Sequence, residues 1–214
     1  MSGTIPTSKI SPNVCALKSL VVNFFIYTDD RTCICFDTGF MGAKHAAKKL
    51  GLDPDRVSHI FLTHTDSDHV SGIKAFPNAK VFLSAAEEPM INGSVKRSPI
   101  MKNKLPSKTY TLLRDNEVVT IEAVEVRAIS TPGHTIGSMS YLVNKSLLFA
   151  GDTIHLKKGI AGIGPKYLTM NFEQQKSSLN ALAGLRNISL LCTCHSGFTS
   201  DFRAAMKRWE KIAD

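Results

Sequence analysis

The sequence predicts an α/β (α+β) protein of two packed sheets covered by helices, and three observations carry that expectation. Short runs rich in β-branched and aromatic residues recur along the chain, bounded by polar turns. Helical runs fall after pairs of strands, a pattern that suits stacked layers. No repeat, low-complexity tract or interdomain linker interrupts the 214 residues, so 1–214 reads as a single domain. Length alone allows one large domain or two small ones, and 43% hydrophobic residues are enough for one sizeable core. With 21% charged residues the composition is that of an ordinary globular chain, which excludes wholesale disorder.

The elements follow in order. Runs 21–27 and 32–36 form a hairpin across the polar turn Thr28-Asp29-Asp30-Arg31, and Asp37-Thr38-Gly39 ends its second strand. Ala and Lys dominate 42–50, a helix with Gly51 as its stop. The apolar strand 57–63 runs straight into the polar cluster 64–69. A strand over 79–83 precedes a short helical run over 85–91, and 92–107 is irregular and basic. Consecutive strands cover 110–113, 118–121 and 124–129. Runs 139–143 and 146–150 pair as a second hairpin turning at Asn144-Lys145. The Gly-rich stretch 151–169 reads as loop, 171–185 as helix, 190–194 as the last strand and 202–212 as the last helix.

The formal net charge is +8, but the basic residues are dispersed. The densest group, Lys96, Arg97, Lys102, Lys104 and Lys108, lies in a polar segment with Pro99 and Pro106, without interleaved aromatics. A solvated surface accounts for it better than a nucleic-acid partner does. Five cysteines (Cys15, Cys33, Cys35, Cys192 and Cys194) form no even disulfide framework. The two C-x-C pairs sit in apolar runs, where alternate residues share one face of a strand, so buried reduced thiols are expected. A redox or metal role for Cys192 and Cys194 stays open because His195 follows them. The N-terminus shows no signal peptide. The early apolar stretch 20–27 is far short of the roughly 20 residues that span a membrane. A cytoplasmic protein with no membrane partner is the resulting expectation.

Thr63-His64-Thr65-Asp66-Ser67-Asp68-His69 places four metal-ligand side chains within six residues, directly after an apolar strand. Imidazole with carboxylate suits zinc, iron and manganese. Three further segments end strands in the same way: Thr131-Pro132-Gly133-His134-Thr135, Phe149-Ala150-Gly151-Asp152-Thr153 and Cys192-Thr193-Cys194-His195-Ser196-Gly197. Strand ends on one sheet edge converge, and sites form there readily.

Together these segments resemble the metallo-β-lactamase superfamily, whose pattern is H-x-H-x-D-H, then a histidine, an aspartate and a last histidine. The chain matches at His64, Asp68, His69, His134, Asp152 and His195, over nearly its whole length, and it also carries the Asp37-Thr38-Gly39 turn. The stretch from Thr131 through Gly137-Ser138 looks most like the glyoxalase II-like branch. The resemblance implies a four-layer αββα sandwich with two divalent or trivalent metal ions (zinc or iron, with manganese a third choice) in a cleft at one sheet edge. His64 and His134 would bind the first, Asp68, His69 and His195 the second, and Asp152 both.

One residue departs from the pattern. The family usually has histidine where this chain has Asp66, and flavodiiron members have glutamate there. An aspartate is shorter than either, so Asp66 is expected to reach the first ion only if its loop moves inward, or through a water. Its negative charge would favour iron or manganese over zinc. The implied activity is hydrolysis by a metal-bound hydroxide of an activated carbonyl (a thioester, lactone or ester), with Asp68 holding and passing the proton. The small-molecule substrate is expected to meet His155, Lys157, Lys158 and Tyr167 in the loop after Asp152. Two other readings stay open: iron-dependent oxidoreductase chemistry on oxygen, nitric oxide or persulfide, and a binding module that has lost turnover.

Overall fold

The computed structural model describes residues 3–98, 102–107 and 109–210. Two mixed sheets face each other. The first has seven strands in sequence order: β1 (Ser8–Lys9), β2 (Val14–Ser19), β3 (Val22–Thr28), β4 (Cys33–Phe36), β5 (His59–Phe61), β6 (Lys80–Ser84) and β7 (Thr111–Leu113). Its first three pairings are antiparallel, and β4 to β7 are parallel. The second sheet comprises β8 (Val118–Ile121), β9 (Val124–Ser130), β10 (Met139–Val143), β11 (Leu147–Phe149), β14 (Leu190–Thr193) and β15 (Gly197–Thr199), in the order β15-β14-β11-β10-β9-β8. A small hairpin, β12 (His155–Lys157) with β13 (Ile160–Gly162), stands apart.

The alternation of β3 shows how the layers are specified. Phe25 and Tyr27 face the core between the sheets, whereas Phe24 and Ile26 face the opposite side. Successive side chains of a strand point to opposite faces, and both faces of this strand are covered. Between the sheets, Phe36 stacks on Phe149 with ring centroids 3.9 Å apart, and Phe61 and Tyr141 pack around them. Outside the first sheet lies α1 (Ala43–Lys49), which buries Ala43, Ala46 and Ala47. Outside the second lie α4 (Phe172–Ala183) and α5 (Phe202–Met206), which bury Leu179, Leu182, Phe202 and Met206. The layers are therefore helix, sheet, sheet, helix, as expected.

Several local expectations change. β2 and β15 are strands that composition did not disclose; β2 is held by pairing with β3 over six residue pairs. The stretch 151–169 is not all loop. Lys158 and Gly159 adopt φ of 52° and 77°, the geometry of a tight hairpin turn, and Leu156 and Ala161 on the flanking strands are buried. The C-terminal helix is shorter than read: α5 ends at Met206, a 3-10 turn covers Lys207–Trp209, and Ile212 lies outside the described residues. Lys108 and Pro99 also lie outside them. All five cysteines are buried and unpaired, with Cys33 and Cys35 in one core layer and Cys192 and Cys194 in another.

Candidate metal centre

The carboxyl ends of β4, β5, β9, β11 and β14 meet at one edge of the sandwich. Asp37 follows β4, and the segment 64–69 follows β5, with Asp68 and His69 on the single-turn helix α2 (Ser67–Val70). His134 follows β9, Asp152 follows β11 and His195 follows β14. The sheets are joined at this edge by the Met139 amide, which donates to the Thr63 carbonyl at 2.8 Å.

Hydrogen bonds fix how the imidazoles are presented. The Asp37 carboxylate accepts from the Thr63 amide and hydroxyl, each at 2.8 Å, and from His69 Nδ1 at 2.9 Å. Asp37 has a φ of 56°, a left-handed conformation that aspartate tolerates better than most residues. The Thr63 hydroxyl, having given its proton to Asp37, accepts from His64 Nδ1 at 3.0 Å. His195 Nδ1 donates to the Val21 carbonyl at 2.9 Å. In each ring Nδ1 carries a proton, so Nε2 is the nitrogen left facing the centre; a protonated Nδ1 with an acceptor is the usual way a metal-binding histidine is oriented.

The inward atoms form two overlapping groups. In the first, Asp66 Oδ2 stands 3.5 Å from His64 Nε2 and 3.3 Å from His134 Nε2. In the second, Asp68 Oδ2 stands 3.7 Å from His69 Nε2 and 3.3 Å from His195 Nε2. Asp152 lies between them: Oδ2 is 3.5 Å from His134 Nε2 and 3.2 Å from His195 Nε2, and Oδ1 is 3.5 Å from His69 Nε2. A tetrahedral ion with bonds of about 2.0–2.1 Å separates its ligand atoms by about 3.3–3.4 Å, so these spacings fit a cation. His64 Nε2, His69 Nε2 and Asp152 Oδ1 are buried without a hydrogen-bond partner. Buried polar atoms are rarely left so, and three facing one another ask for an ion. The Asp66 backbone is extended just before α2, and its carboxylate lies beside both imidazoles.

Residues that the sequence did not mark for the site complete the frame, among them Arg97, whose side chain is drawn off the expected solvated surface by its bond to Asp66. Arg97 Nε donates to both Asp66 oxygens, at 3.0 and 2.9 Å, and Asn103 donates to Asp66 Oδ1 at 3.1 Å. The negative charge of Asp66 thus meets a positive charge supplied by the protein itself. Buried Glu87 accepts from the Thr65 amide and hydroxyl at 2.9 and 2.8 Å, and from the Thr135 hydroxyl and Gly137 amide at 2.8 and 3.0 Å. One carboxyl therefore clamps the loop bearing His64 and Asp66 to the loop bearing His134. Gln175 of α4 donates to the Asp152 and Thr153 carbonyls at 2.9 and 3.0 Å. Gly133, at φ 134°, lets α4 approach, since a Cβ there would lie 2.3 Å from the Gln175 nitrogen.

The two groups differ electrostatically. Burial alone would raise the Asp68 and Asp152 carboxyls, but His69 and His195 outweigh it, holding Asp68 down to about 2 and Asp152 well below the carboxylate range. Burial likewise opposes the charge on His69 and His195, yet Asp152 and its neighbours push His69 well up and His195 to about 10. In the first group burial prevails at His134 and lowers it. Asp66, against the effect of burial, is held far below the carboxylate range by the neighbouring His134 and His64 imidazoles and by Arg97.

A cavity of about 230 Å³ opens over His134, Asp152 and His195, walled by Ile154, Pro165 and Leu168. Of the expected substrate residues, His155 lines it. Lys157 and Lys158 are exposed and do not. Tyr167 is 85% exposed on a 3-10 turn whose next residue, Leu168, forms the wall instead.

The chain belongs to the metallo-β-lactamase superfamily, whose family pattern matches residues 18–195. It is 30% identical over 188 residues to the uncharacterized protein YobT of Bacillus subtilis (strain 168), covering 76% of this chain and 78% of that protein. It is 27% identical over 201 residues to the hydroxyacylglutathione hydrolase of Buchnera aphidicola subsp. Schizaphis graminum (strain Sg), covering 92% of this chain and 70% of the relative. The fold also matches a B3 metallo-β-lactamase with an active-site glutamic acid, at TM-score 0.74 and 19% identity over 97% of this chain and 88% of that one. A metallo-β-lactamase family protein from Thermus thermophilus matches at TM-score 0.70 and 23% identity, over 94% of this chain and 79% of that one. Among the described residues, no helix is long and apolar enough to cross a membrane.

Proposed function

We propose that the chain is a metal-dependent hydrolase of small activated carbonyl compounds, folded as one domain over 1–214. One observation carries the reading: the imidazoles of His64, His69 and His195, each with Nδ1 held by an acceptor, turn Nε2 toward the centre that Asp152 occupies. His64, Asp66 and His134 would hold one ion, Asp68, His69 and His195 a second, and Asp152 would serve both. Bound there, divalent ions acidify water and polarise a carbonyl.

The chain's own groups supply the rest. Asp68, whose side chain is 28% exposed, is the carboxylate best placed to hold a proton and pass it to a leaving group. Ile154, Pro165 and Leu168 shield the reacting face from solvent, and His155 offers a polar contact at the rim. The cavity is small, which suits a compact acyl group, and the relative named for hydroxyacylglutathione hydrolysis favours an acyl-glutathione substrate. Five buried thiols fit the reducing cytoplasm.

The test is a panel of acyl-glutathione thioesters, lactones and aryl esters, offered to protein loaded with zinc, iron or manganese. At least one class should turn over, and Asp68→Asn should lower kcat by about 10²–10⁴-fold, the range for a positioned acid–base group. No turnover of any class by fully loaded protein would refute the hydrolase reading.

A further inference from the structure

Arg97 lies in the irregular basic stretch after α3 (Glu88–Ile91), yet its side chain is only 9% exposed. Its guanidinium enters the site. Nε bonds both oxygens of Asp66 at 3.0 and 2.9 Å, and Nη2 reaches His134 Nε2 at 3.3 Å and the Leu168 carbonyl. A guanidinium only donates, so His134 Nε2 must present its lone pair to Arg97. Two of the four side chains that a first ion would need already face a cation, through Asp66 Oδ2 and His134 Nε2. His64 Nε2 has no partner.

The second group has no such companion. Among the described residues, Asp68 and Asp152 form ion pairs with histidines and with no lysine or arginine. We infer that Arg97 is a resident cation of the His64–Asp66–His134 position and competes there with a metal ion, so that the two positions fill unequally. This rests on the metal-dependent reading above. The physical reason is that an entering ion must either displace the guanidinium from Asp66 and His134 or share a buried carboxylate with a like charge, and both weaken binding. Arg97 thereby sets which ions, at which concentrations, complete the pair.

The test is a cobalt(II) titration of metal-free full-length protein, followed by visible absorption and by competition with a chromophoric chelator, with native mass spectrometry counting ions. Wild type should bind one ion tightly and a second at least about tenfold more weakly, and His64→Ala should abolish the weaker event. Arg97→Gln should tighten the second event about tenfold or more while leaving the first within about threefold. Arg97→Lys keeps a positive charge and should leave the second event weak. If Arg97→Gln fails to fold, Arg97→Met, which keeps the aliphatic stem, takes its place with the same expectation. A second event that is unchanged or weaker in the neutral variant, or two equal events in wild type, overturns the proposal. Failure of wild type to bind any ion overturns the metal-dependent reading itself.

Discussion

At the position formed by Asp68, His69 and His195, partly buried carboxylates meet only imidazoles, and both imidazoles are driven toward protonation to balance them. At the position formed by His64, Asp66 and His134, an arginine supplies the positive charge and His134 stays on the neutral side. The side chains are nearly the same in kind, and the distances between their inward atoms span only 3.2–3.7 Å. What differs is the source of the compensating charge. Protons leave an imidazole readily when a cation arrives, whereas a guanidinium cannot lose its proton and must be moved or tolerated. Ligand geometry alone therefore does not make two positions equivalent; the charge already resident in each decides how easily an ion enters.

The comparison breaks most completely at the group the positions share. Asp152→Ala should empty both, with kcat/KM falling on the order of 10³-fold or more, as expected when a transition-state electrostatic term is removed. Elemental analysis beside kinetics checks this, and retention of two ions would show that Asp152 does not join them. Asp37→Asn sharpens the contrast. It weakens the acceptor directly behind His69 and, one hydroxyl further, disturbs Thr63 behind His64, while leaving the Asp66–Arg97 pair untouched, so metal affinity should fall about 10–100-fold at the second position, the usual range for groups that orient a ligand, and less at the first. Chelator competition would read that change. Glu87→Gln keeps the shape but turns one acceptor oxygen into a donor beneath both loops. It should lower stability by about 1.5–3 kcal/mol, seen as a lower midpoint in urea. Lys157→Ala and Tyr167→Ala should change stability by no more than about 0.5 kcal/mol. Their KM values should stay close to wild type, because neither residue lines the cavity.

Most of the fold and the histidine–aspartate set were legible because each rests on a local pattern. Alternating apolar residues mark β3, and ligand-type side chains directly follow β5, β9, β11 and β14. β2 and the hairpin of β12 and β13 were hidden for a physical reason: short strands take their stability from the partner they pair with, not from composition. Arg97 and Glu87 were hidden differently. Arg97 reads as one more lysine-or-arginine in a basic loop, and Glu87 as an ordinary helical residue next to Glu88. Their roles come from contacts 31 and 22 residues away in sequence, which no spacing announces. Asp37 was visible as part of a turn, but not as the acceptor that sets the His69 tautomer.

The most direct measurement is a crystal structure of metal-loaded protein with anomalous scattering recorded at the absorption edge of the bound ion. A full-occupancy peak should lie about 2.0–2.3 Å from His69 Nε2, His195 Nε2 and the Asp68 and Asp152 carboxylates, with a weaker peak among His64, Asp66 and His134. A peak held by other residues, or no peak among these side chains at saturating metal, would contradict it.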